Sequence, residues 1–568
     1  MKKLFSAIAA ILLISFVHAQ YSFQYVDTQQ VQKSIGRIAL DQANNTIITG
    51  TFANSITLGS FTLTNNIPGN NIPFVAKLMP DGSFVFAKEI NIIQVGNGPA
   101  SSANVYGMTV DAAGNVYVTG NFTGKISYAG SIFTSSKNGP DYTPDIYVFK
   151  ISPTGSLVWG KIMGSNLDAP CSNTRDAGKS VSVDNFGNVF VTAETVYKVV
   201  RNYICSSCSG VSLNPLLSHL SVMKFNSAGT KLWQKDFLSN ESAYMCGFNS
   251  NMTSSYSDGN NLYIAGHFYG SLTAGSITLT SPDYATSNIF LMELDANGNT
   301  LWGRSVSGDH NVSNGTGDNL YINNNELYMC GILFRGTYNF GSHVLTNATG
   351  TMPFIAKYSL AGTDDWVMAP HGNVRGVTRL PNGNIAALIG AAKCCNNFFT
   401  MIKEISPADG SEIDSTVASM DSTAKVSCSS GLVHTTDGFM FSENISGSYQ
   451  FGSITISSSH PAGNPNQDMI LIRYTALPPP IAHPTNLTTE VAPANLILYP
   501  NPAFNQVTIR NEGNRILGTV GIYDATGRMI YRKFIANSQT TIDIKNFSSG
   551  FYYLRSDHLQ ATIKFIKQ

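Results

Sequence analysis

The chain has 568 residues and no net charge, with 35 lysines and arginines against 35 aspartates and glutamates. Charged residues make up only 12% of the sequence, so we expect no basic surface for nucleic acid or for an anionic membrane. An apolar fraction of 43% excludes disorder over most of the length, and 11% aromatic residues favour a β-rich fold.

The N-terminus is typical of a secretory signal peptide over residues 1–19. Lys2 and Lys3 precede an apolar stretch that runs from Leu4 to Val17, and a small-residue cleavage pattern follows it. The stretch is short for a membrane span, and no later segment reaches about 18 apolar residues. We therefore expect cleavage between Ala19 and Gln20, export of the mature chain, and no transmembrane segment in it.

A repeated pattern fills residues 36–476. Each tryptophan lies four residues after a glycine, as in "SPTGSLVWGK", and Phe86 has the same place in the first repeat. An apolar run such as "IYVFKI" precedes this turn, and a hairpin such as "VDAAGNVYVTGNF" lies further upstream. The repeats begin near Gly36, Gly107, Gly178, Thr253, Gly317, Gly376 and Gly431.

Seven repeats of about four strands each predict an all-β fold, a seven-bladed β-propeller over residues 20–476. The aromatic residue after each glycine turn is expected to pack between neighbouring blades. The sixth repeat lacks it, because Asp414 stands four residues after Gly410. Propellers of six or eight blades are therefore alternatives.

The pattern "VDAAGNVYVTGNF", followed by "DIYVFKISPTGSLVW", resembles the bacterial β-propeller repeats known as SBBP repeats. The resemblance covers most of residues 36–476. Because such repeats occur in secreted and surface proteins, it implies a chain that works outside the cytoplasm.

No catalytic or metal-binding motif stands out. Nucleophile elbows, phosphate-binding loops and HExxH are absent from the sequence, and its 10 histidines are scattered. "DANGNT" resembles the start of a calcium loop but lacks the distal acidic ligand, so an ordinary hairpin turn is expected. We expect no metal and no cofactor. Carboxylates that converge from different blades leave no trace in sequence spacing, so an enzyme stays an alternative.

The third repeat has an enlarged connection, residues 197–220, which is the candidate recognition loop. Arg201 and Tyr203 are its candidate binding residues, because binding function concentrates on loops of a rigid scaffold. A tolerated surface insertion is the alternative. Eight cysteines enter an oxidising compartment. The spacing of "CSSC" predicts a local disulfide between Cys205 and Cys208 rather than a zinc or redox site.

After Tyr474 the repeats stop, and residues 477–495 form a proline-rich linker. Short alternating segments then predict a small antiparallel β-sandwich over residues 496–568.

In this last domain, "LYPNP", "IYDATGR", "FSSGFYYLR" and "KFIKQ" follow one another. In that order they resemble the type A sorting domain of the type IX secretion system, which Bacteroidota use. The resemblance implies recognition by the type IX secretion machinery, passage through the periplasm, and release or attachment at the outer surface. The matching positions are Tyr499, Pro500, Asn501, Pro502, Asp524, Gly527, Arg528, Gly550, Tyr552, Lys564 and Phe565.

The sequence thus favours a secreted or surface-displayed module that binds a glycan or a protein, or mediates adhesion. An extracellular polysaccharide hydrolase or lyase and a structural surface or matrix protein are the alternatives.

Overall fold

The computed structural model describes most of the chain from Tyr21 onward. The described residues are 21–29, 35–67, 70–93, 101–136, 144–164, 176–199, 203–204, 212–213, 216–239, 251–281, 287–308, 316–323, 325–348, 350–393, 397–420, 427–435, 438–445, 448–451, 454–457, 468–476, 496–511, 518–524, 529–535, 537–556 and 561–568. Within these ranges all regular structure is β, and no helix suited to crossing a membrane occurs. The chain divides into two compact units, Met1–Pro480 and Ile481–Gln568.

The first unit contains, in its described part, seven antiparallel sheets that each have four main strands. Short runs rich in Val, Ile, Tyr and Phe form these strands, and turns with Asp, Asn and Gly separate them. Sheet 1 comprises Ile35–Leu40, Thr46–Phe52, Ile72–Leu78 and Phe84–Glu89; sheet 2 Ser102–Val110, Val116–Thr123, Asp145–Ile151 and Leu157–Met163; sheet 3 Ala177–Val183, Val189–Val199, Leu216–Phe225 and Lys231–Ser239; sheet 4 Asn251–Ser257, Leu262–Tyr269, Ser287–Leu294 and Thr300–Gly308; sheet 5 Thr316–Asn323, Glu326–Leu333, Met352–Ser359 and Asp364–Met368; sheet 6 Asn373–Arg379, Ile385–Lys393, Asn397–Ile405 and Glu412–Met420; sheet 7 Ser427–Thr435, Gly438–Ile445, Asp468–Ala476 and Tyr21–Gln29.

The fourth strand of sheet 7 comes from the other end of the sequence. Tyr21–Gln29 pairs antiparallel with Asp468–Ala476, so that Tyr21 lies opposite Ala476. The repeat pattern begins only at Gly36 and therefore does not predict this strand. The signal for it in the sequence is the alternation of aromatic residues in "YSFQYVD".

The first strand of each sheet, which we call the inner strand, contacts the inner strand of the next sheet. These contacts run from sheet 1 to sheet 7, and the inner strand of sheet 7 also contacts that of sheet 1. Gly107 permits one close approach, because a Cβ atom there would lie 2.8 Å from the Cα of Ser180. The backbone N–H of Ser255 donates to Ser180 Oγ at 3.2 Å across the next boundary.

In sheets 1 to 5 and in sheet 7, a short hairpin lies between the second and third strands. These inserted hairpins are Ser55–Leu58 with Phe61–Thr64, Lys125–Tyr128 with Ser131–Thr134, Tyr203–Ile204 with Ser212–Leu213, Ser271–Ala274 with Ile277–Thr280, Gly336–Asn339 with Val344–Asn347, and Ser448–Phe451 with Ile454–Ser457. Several pair with the preceding sheet. Leu238 of sheet 3 lies opposite Thr273, and the short strand Asn91–Ile93 pairs with Lys125–Tyr128.

The tryptophans lie between neighbouring sheets, which confirms the sequence prediction. Trp159 is on the fourth strand of sheet 2, and its indole N–H donates to the carbonyl oxygen of Ser227 in sheet 3 at 3.0 Å. Gly229 of sheet 3 faces the same ring, where a Cβ would lie only 2.8 Å from it. Equivalent hydrogen bonds join Trp233 to Ala296, Trp302 to Leu360, and Trp366 to Pro407.

The two ends of the first unit differ. At the turn end, short hairpin turns join first to second and third to fourth strands. They are closed by their own side chains: Asp111 Oδ1 accepts from the backbone N–H groups of Ala113 and Asn115 at 3.0 and 2.8 Å. Asp295 caps "DANGNT" in the same way through Asn297 and Asn299, which confirms the hairpin-turn interpretation. The opposite end, the loop end, receives the inserted hairpins and the described sheet-to-sheet connection 369–372.

The second unit consists of two antiparallel sheets in its described part. One contains Leu496–Tyr499, Gln506–Asn511 and Gln539–Asp543; the other, which we call the outer sheet, contains Met529–Ile535, Gly518–Asp524, Gly550–Ser556 and Ala561–Lys567 in that spatial order. Both contribute to one apolar core that includes Ile509, Ile522 and Phe565. The backbone N–H of Ala503 donates to the carbonyl oxygen of Ile566 at 2.7 Å and joins the connecting segment to the last strand.

Candidate functional site

A β-bulge interrupts every inner strand that the structure describes in the first unit, at nearly the same register position. The bulged positions are Gly36, Tyr106, Lys179, Thr253, Asp318, Arg375 and 429–431. They lie within the first five residues of their strands and therefore toward the loop end. Because bulges redirect side chains and are common beside binding sites, we treat this set, the bulge ring, as the candidate site.

The sequence contains a signal for the bulge ring in the glycines near which the repeats begin. Gly36 lies at a bulge, and Gly107 and Gly178 each lie next to one. A glycine in a strand pattern often marks a bulge or a close backbone approach. The repeating glycines thus pointed to the site as well as to the repeat.

Polar side chains in the bulge ring and beside it connect sheets 1 to 3. Lys179 Nζ lies 3.2 Å from a carboxylate oxygen of Glu194 and 5.6 Å from the centre of the Tyr106 ring. Arg37 Nε donates to the carbonyl oxygen of Tyr106 at 2.8 Å. Tyr106 and Lys179 are half-buried. An aromatic ring, a cation and an anion are therefore held together at the boundary of sheets 2 and 3.

Between sheets 6 and 7 the same level of the unit holds a buried carboxyl group. Glu443 occupies a second-strand position where sheets 1, 2, 4 and 5 have glycine, and it is fully buried. Thr400 Oγ1 donates a hydrogen bond to it. Burial raises the pKa of Glu443 to about 7, although the Thr400 hydrogen bond and the charge of Arg375 oppose this rise. This carboxyl can exchange a proton near neutral pH.

A second buried carboxyl lies at the loop end of sheet 2. Asp145 Oδ2 accepts from the backbone N–H of Ser136 at 2.6 Å, and Asp145 Oδ1 accepts from the Ser136 hydroxyl at 2.9 Å. Burial, with a contribution from Asp176, raises the pKa of Asp145 to about 6 in spite of these bonds. These two hydrogen bonds fix Ser136, which follows the inserted hairpin, to the first residue of the third strand.

Among the residues that the structure describes, no three His, Cys, Asp or Glu side chains are grouped to hold a metal ion. Cys330 is buried in the core of sheet 5.

The predicted recognition loop is described only in part. Tyr203 pairs in register with Leu213 in the small hairpin of the third repeat. Arg201, Cys205 and Cys208 lie outside the described residues, as do Ala19 and Gln20 at the predicted cleavage site. The binding role and the disulfide stay predictions.

In the second unit, the structure brings the "YPNP" segment to the last strand. Asn501 Oδ1 accepts from the backbone N–H of Ile566 at 2.9 Å, and Asn501 Nδ2 donates to the carbonyl oxygen of Lys564 at 3.3 Å. Pro500 and Pro502 both follow cis peptide bonds. Tyr499 is 42% exposed.

The remaining predicted positions of this unit lie around the outer sheet. Tyr552 is buried, stacks on Phe565 with ring centres 5.5 Å apart, and donates its hydroxyl to Ser548 O at 2.7 Å. Asp524 lies opposite Tyr552 in the strand register, and Gly550 begins the strand that contains it. Gly527 and Arg528 lie outside the described residues.

Two family models match the chain. Residues 497–568 match the secretion system C-terminal sorting domain, and residues 90–124 match the beta-propeller repeat. With the repeated four-stranded sheets, these matches define an exported all-β repeat protein with a C-terminal sorting domain. Its repeats are of the SBBP type and its last domain is that of the type IX secretion system, which indicates export to the cell surface or the extracellular space.

No curated protein matches the chain. Solved structures that resemble parts of the chain include the quinohemoprotein alcohol dehydrogenase of Comamonas testosteroni, with a TM-score of 0.39 and 9% identity over 80% of this chain and 76% of that one. BamB from Moraxella catarrhalis gives 0.34 and 10%, over 80% of this chain and 100% of its own. PorZ, a surface component of the type IX secretion system of Porphyromonas gingivalis, gives 0.23 and 11%, over 94% and 82%. At these scores no activity or ligand transfers to this chain.

Proposed function

We propose that residues 20–476 form a closed seven-bladed β-propeller, which is exported by the type IX secretion system and binds a glycan or a protein outside the cell. In this proposal residues 1–19 are a signal peptide, 477–495 a linker and 496–568 a sorting domain folded as an antiparallel β-sandwich. The bulge ring is the observation that carries the binding function.

Three observations support closure into a propeller. Sheets 1 to 6 each contain a four-stranded meander, and consecutive inner strands contact one another. The N-terminal strand completes sheet 7, and the inner strands of sheets 7 and 1 are in contact. Radial repetition of such sheets leaves few exposed strand edges, which suits a protein outside the cell.

The chemistry of the bulge ring favours a polar ligand. Tyr106 supplies an aromatic face, Lys179 supplies a donor beside it, and Glu194, which pairs with Lys179, supplies an acceptor. Sugars are bound by this combination of a flat apolar surface with oriented polar groups. The charges are of both signs and paired, so a neutral or mixed-charge glycan fits better than a polyanion.

The proposal is tested with the full mature chain on a glycan array, together with a panel of extracellular proteins. Tyr106→Ala should lower affinity for any bound ligand at least tenfold, since an aromatic contact contributes more than about 1.4 kcal/mol. Phe186→Ala is the matched control, because Phe186 is 76% exposed at the turn end. Equal binding by both variants would show that the ligand lies elsewhere. Absence of any ligand would favour a structural surface protein.

An extracellular hydrolase or lyase is the second candidate, and Glu443 is the residue to test for it, although a substrate would reach its buried side chain only after a rearrangement of sheets 6 and 7. A carboxyl with a pKa of about 7 has the protonation state that general acid catalysis needs near neutrality. A hydrolysis screen on polysaccharides, with wild type and Glu443→Gln compared, tests this candidate. If wild type turns over a polysaccharide and Glu443→Gln does not, with an unchanged melting temperature at pH 5, the protein is an enzyme and not only a binding module.

A further inference from the structure

The outer sheet of the second unit exposes a set of aromatic residues. Phe551 and Tyr553 alternate with the buried Tyr552 along one strand, and they are 49% and 41% exposed. Tyr523 lies opposite Tyr553 in the register of the neighbouring strand and is half-buried. Large exposed apolar surfaces of this kind are uncommon on isolated soluble domains and usually mark an interface.

The aromatic rings are held in position rather than left free. Lys564 Nζ lies 4.0 Å from the centre of the Phe551 ring, a cation–π contact. Gly521 leaves room for the Tyr523 ring, since a Cβ atom at Gly521 would lie 3.0 Å from it. A surface whose side chains are ordered before binding loses less entropy when a partner docks.

The charged residue described on this surface is a cation. Lys564 is exposed and lies opposite Tyr553 in the strand register. None of its described residues Tyr523, Phe551, Tyr553, Lys564 and Ile566 is acidic. Aromatic residues mixed with cations are the composition of protein-binding hot spots.

We propose that this aromatic surface, formed by Tyr523, Phe551, Tyr553 and Lys564, docks onto an acidic surface of a protein of the export machinery. The match of residues 497–568 to a sorting domain means that some protein must recognise this unit. The outer sheet offers that protein an aromatic patch, and the cation Lys564 within it favours a partner of opposite charge. The inference is independent of the ligand of the first unit.

The test uses the full chain, expressed in a bacterium with the type IX secretion machinery, and measures its distribution between periplasm, cell surface and medium. The double variant Phe551→Ser/Tyr553→Ser and the single variant Lys564→Glu should each reduce surface and medium protein about tenfold, with retention in the periplasm. Phe504→Ser and Lys545→Glu are matched controls and should be exported normally. Phe504 is 61% exposed outside the outer sheet, and the Lys545 side chain is 63% exposed.

A melting curve of each purified variant separates docking from folding, since the exchanged side chains are largely exposed and the melting temperature should not change. Normal export of the folded double variant would overturn the proposal. Loss of export in the double variant but not in Lys564→Glu would overturn the acidic partner. Flotation with phosphatidylglycerol vesicles tests whether the aromatic surface binds a lipid membrane instead of a protein. Vesicle binding that Lys564→Glu abolishes would show that the surface docks onto lipid and not onto protein.

Discussion

The indole N–H of Trp302 donates to the carbonyl oxygen of Leu360, 3.0 Å away in the next sheet. Gly362, two residues further along, has φ +77° and faces the same indole ring. A side chain of sheet 4 is thereby fixed to the backbone of sheet 5 by a hydrogen bond and by ring contact. Because the arrangement recurs at four sheet boundaries, it is a main connection between sheets.

We expect Gly362→Ala to lower the free energy of unfolding by about 2–4 kcal/mol. Alanine at positive φ costs about 1 kcal/mol, and its Cβ would lie 2.7 Å from the Trp302 ring, so the ring must move at a further cost of about 1–3 kcal/mol. The control is Gly130→Ala. Gly130 has φ +85° but an added Cβ would meet nothing within 4 Å, so only the backbone cost applies. Equal losses in chemical denaturation would contradict the role of ring contact.

The packing of tryptophans between sheets could be predicted from the sequence because glycine and tryptophan recur at a fixed spacing in each repeated hairpin. The glycine that each ring contacts belongs to the next sheet and was not predicted. Sequence reasoning missed the fourth strand of sheet 7, which depends on pairing between Tyr21 and Ala476 at distant points of the chain. It also missed the bulges, since a bulge is defined by two strands together and not by either alone. Tyr106 and Lys179 therefore had no signal beyond the glycines beside them.

The burial of Glu443 becomes predictable only when the repeats are compared with one another. In isolation "FSENI" is an unremarkable strand, and nothing indicates that its glutamate is buried. Aligned with "VTGNF" of the second repeat, the glutamate falls where Gly120 stands, and only the register of sheet 7 establishes that equivalence. Charged residues at a glycine position of a repeat are thus candidates for function.

Lys77→Met should cost about 3–5 kcal/mol of unfolding free energy. Lys77 Nζ lies 2.7 Å from Asp41 Oδ2, with side chains only 5% and 6% exposed, so the variant leaves a buried charge without its partner. Lys545→Met is the control, because the Lys545–Asp543 pair is more than 60% exposed and contributes less than about 0.5 kcal/mol. Urea titrations of both variants at pH 7 measure the difference.

The cost of Lys77→Met should also depend on pH. Burial alone raises the pKa of Asp41, but its hydrogen bonds to Lys77 and Asn45 outweigh this and hold it below the usual value. A lowered pKa stabilises the fold above the unfolded-state pKa of about 4, and this contribution is lost as the pH falls below it. The difference between wild type and Lys77→Met should therefore shrink in acid. A difference that is constant from pH 7 to pH 3 would contradict the ion pair.

Glu443→Gln should flatten the pH dependence of stability between pH 4.5 and 7. The pKa of Glu443 is raised from 4.5 to about 7, so the folded state binds the proton more tightly, and stability is highest below pH 4.5 and falls through pH 7. The expected fall is about 3 kcal/mol, and glutamine, which cannot ionise, avoids it. Asp145→Asn is the comparison. This variant should remove only the decrease in stability that occurs up to about pH 6, where Asp145 ionises in the folded state. Parallel stability profiles for wild type and Glu443→Gln would refute a buried, protonated carboxyl.

Removal of residues 496–568 should leave the first unit folded and retain it in the periplasm. The two units have separate apolar cores, so the loss of one does not expose the core of the other. Residues 497–568 match the sorting domain, so the truncated chain has lost the part that the export machinery recognises. Cell fractionation measures its location, and thermal denaturation of the retained protein measures its fold. A folded truncated chain on the cell surface would mean that the first unit contains its own export signal. A truncated chain that is unfolded in the periplasm would mean that the first unit depends on the second for stability.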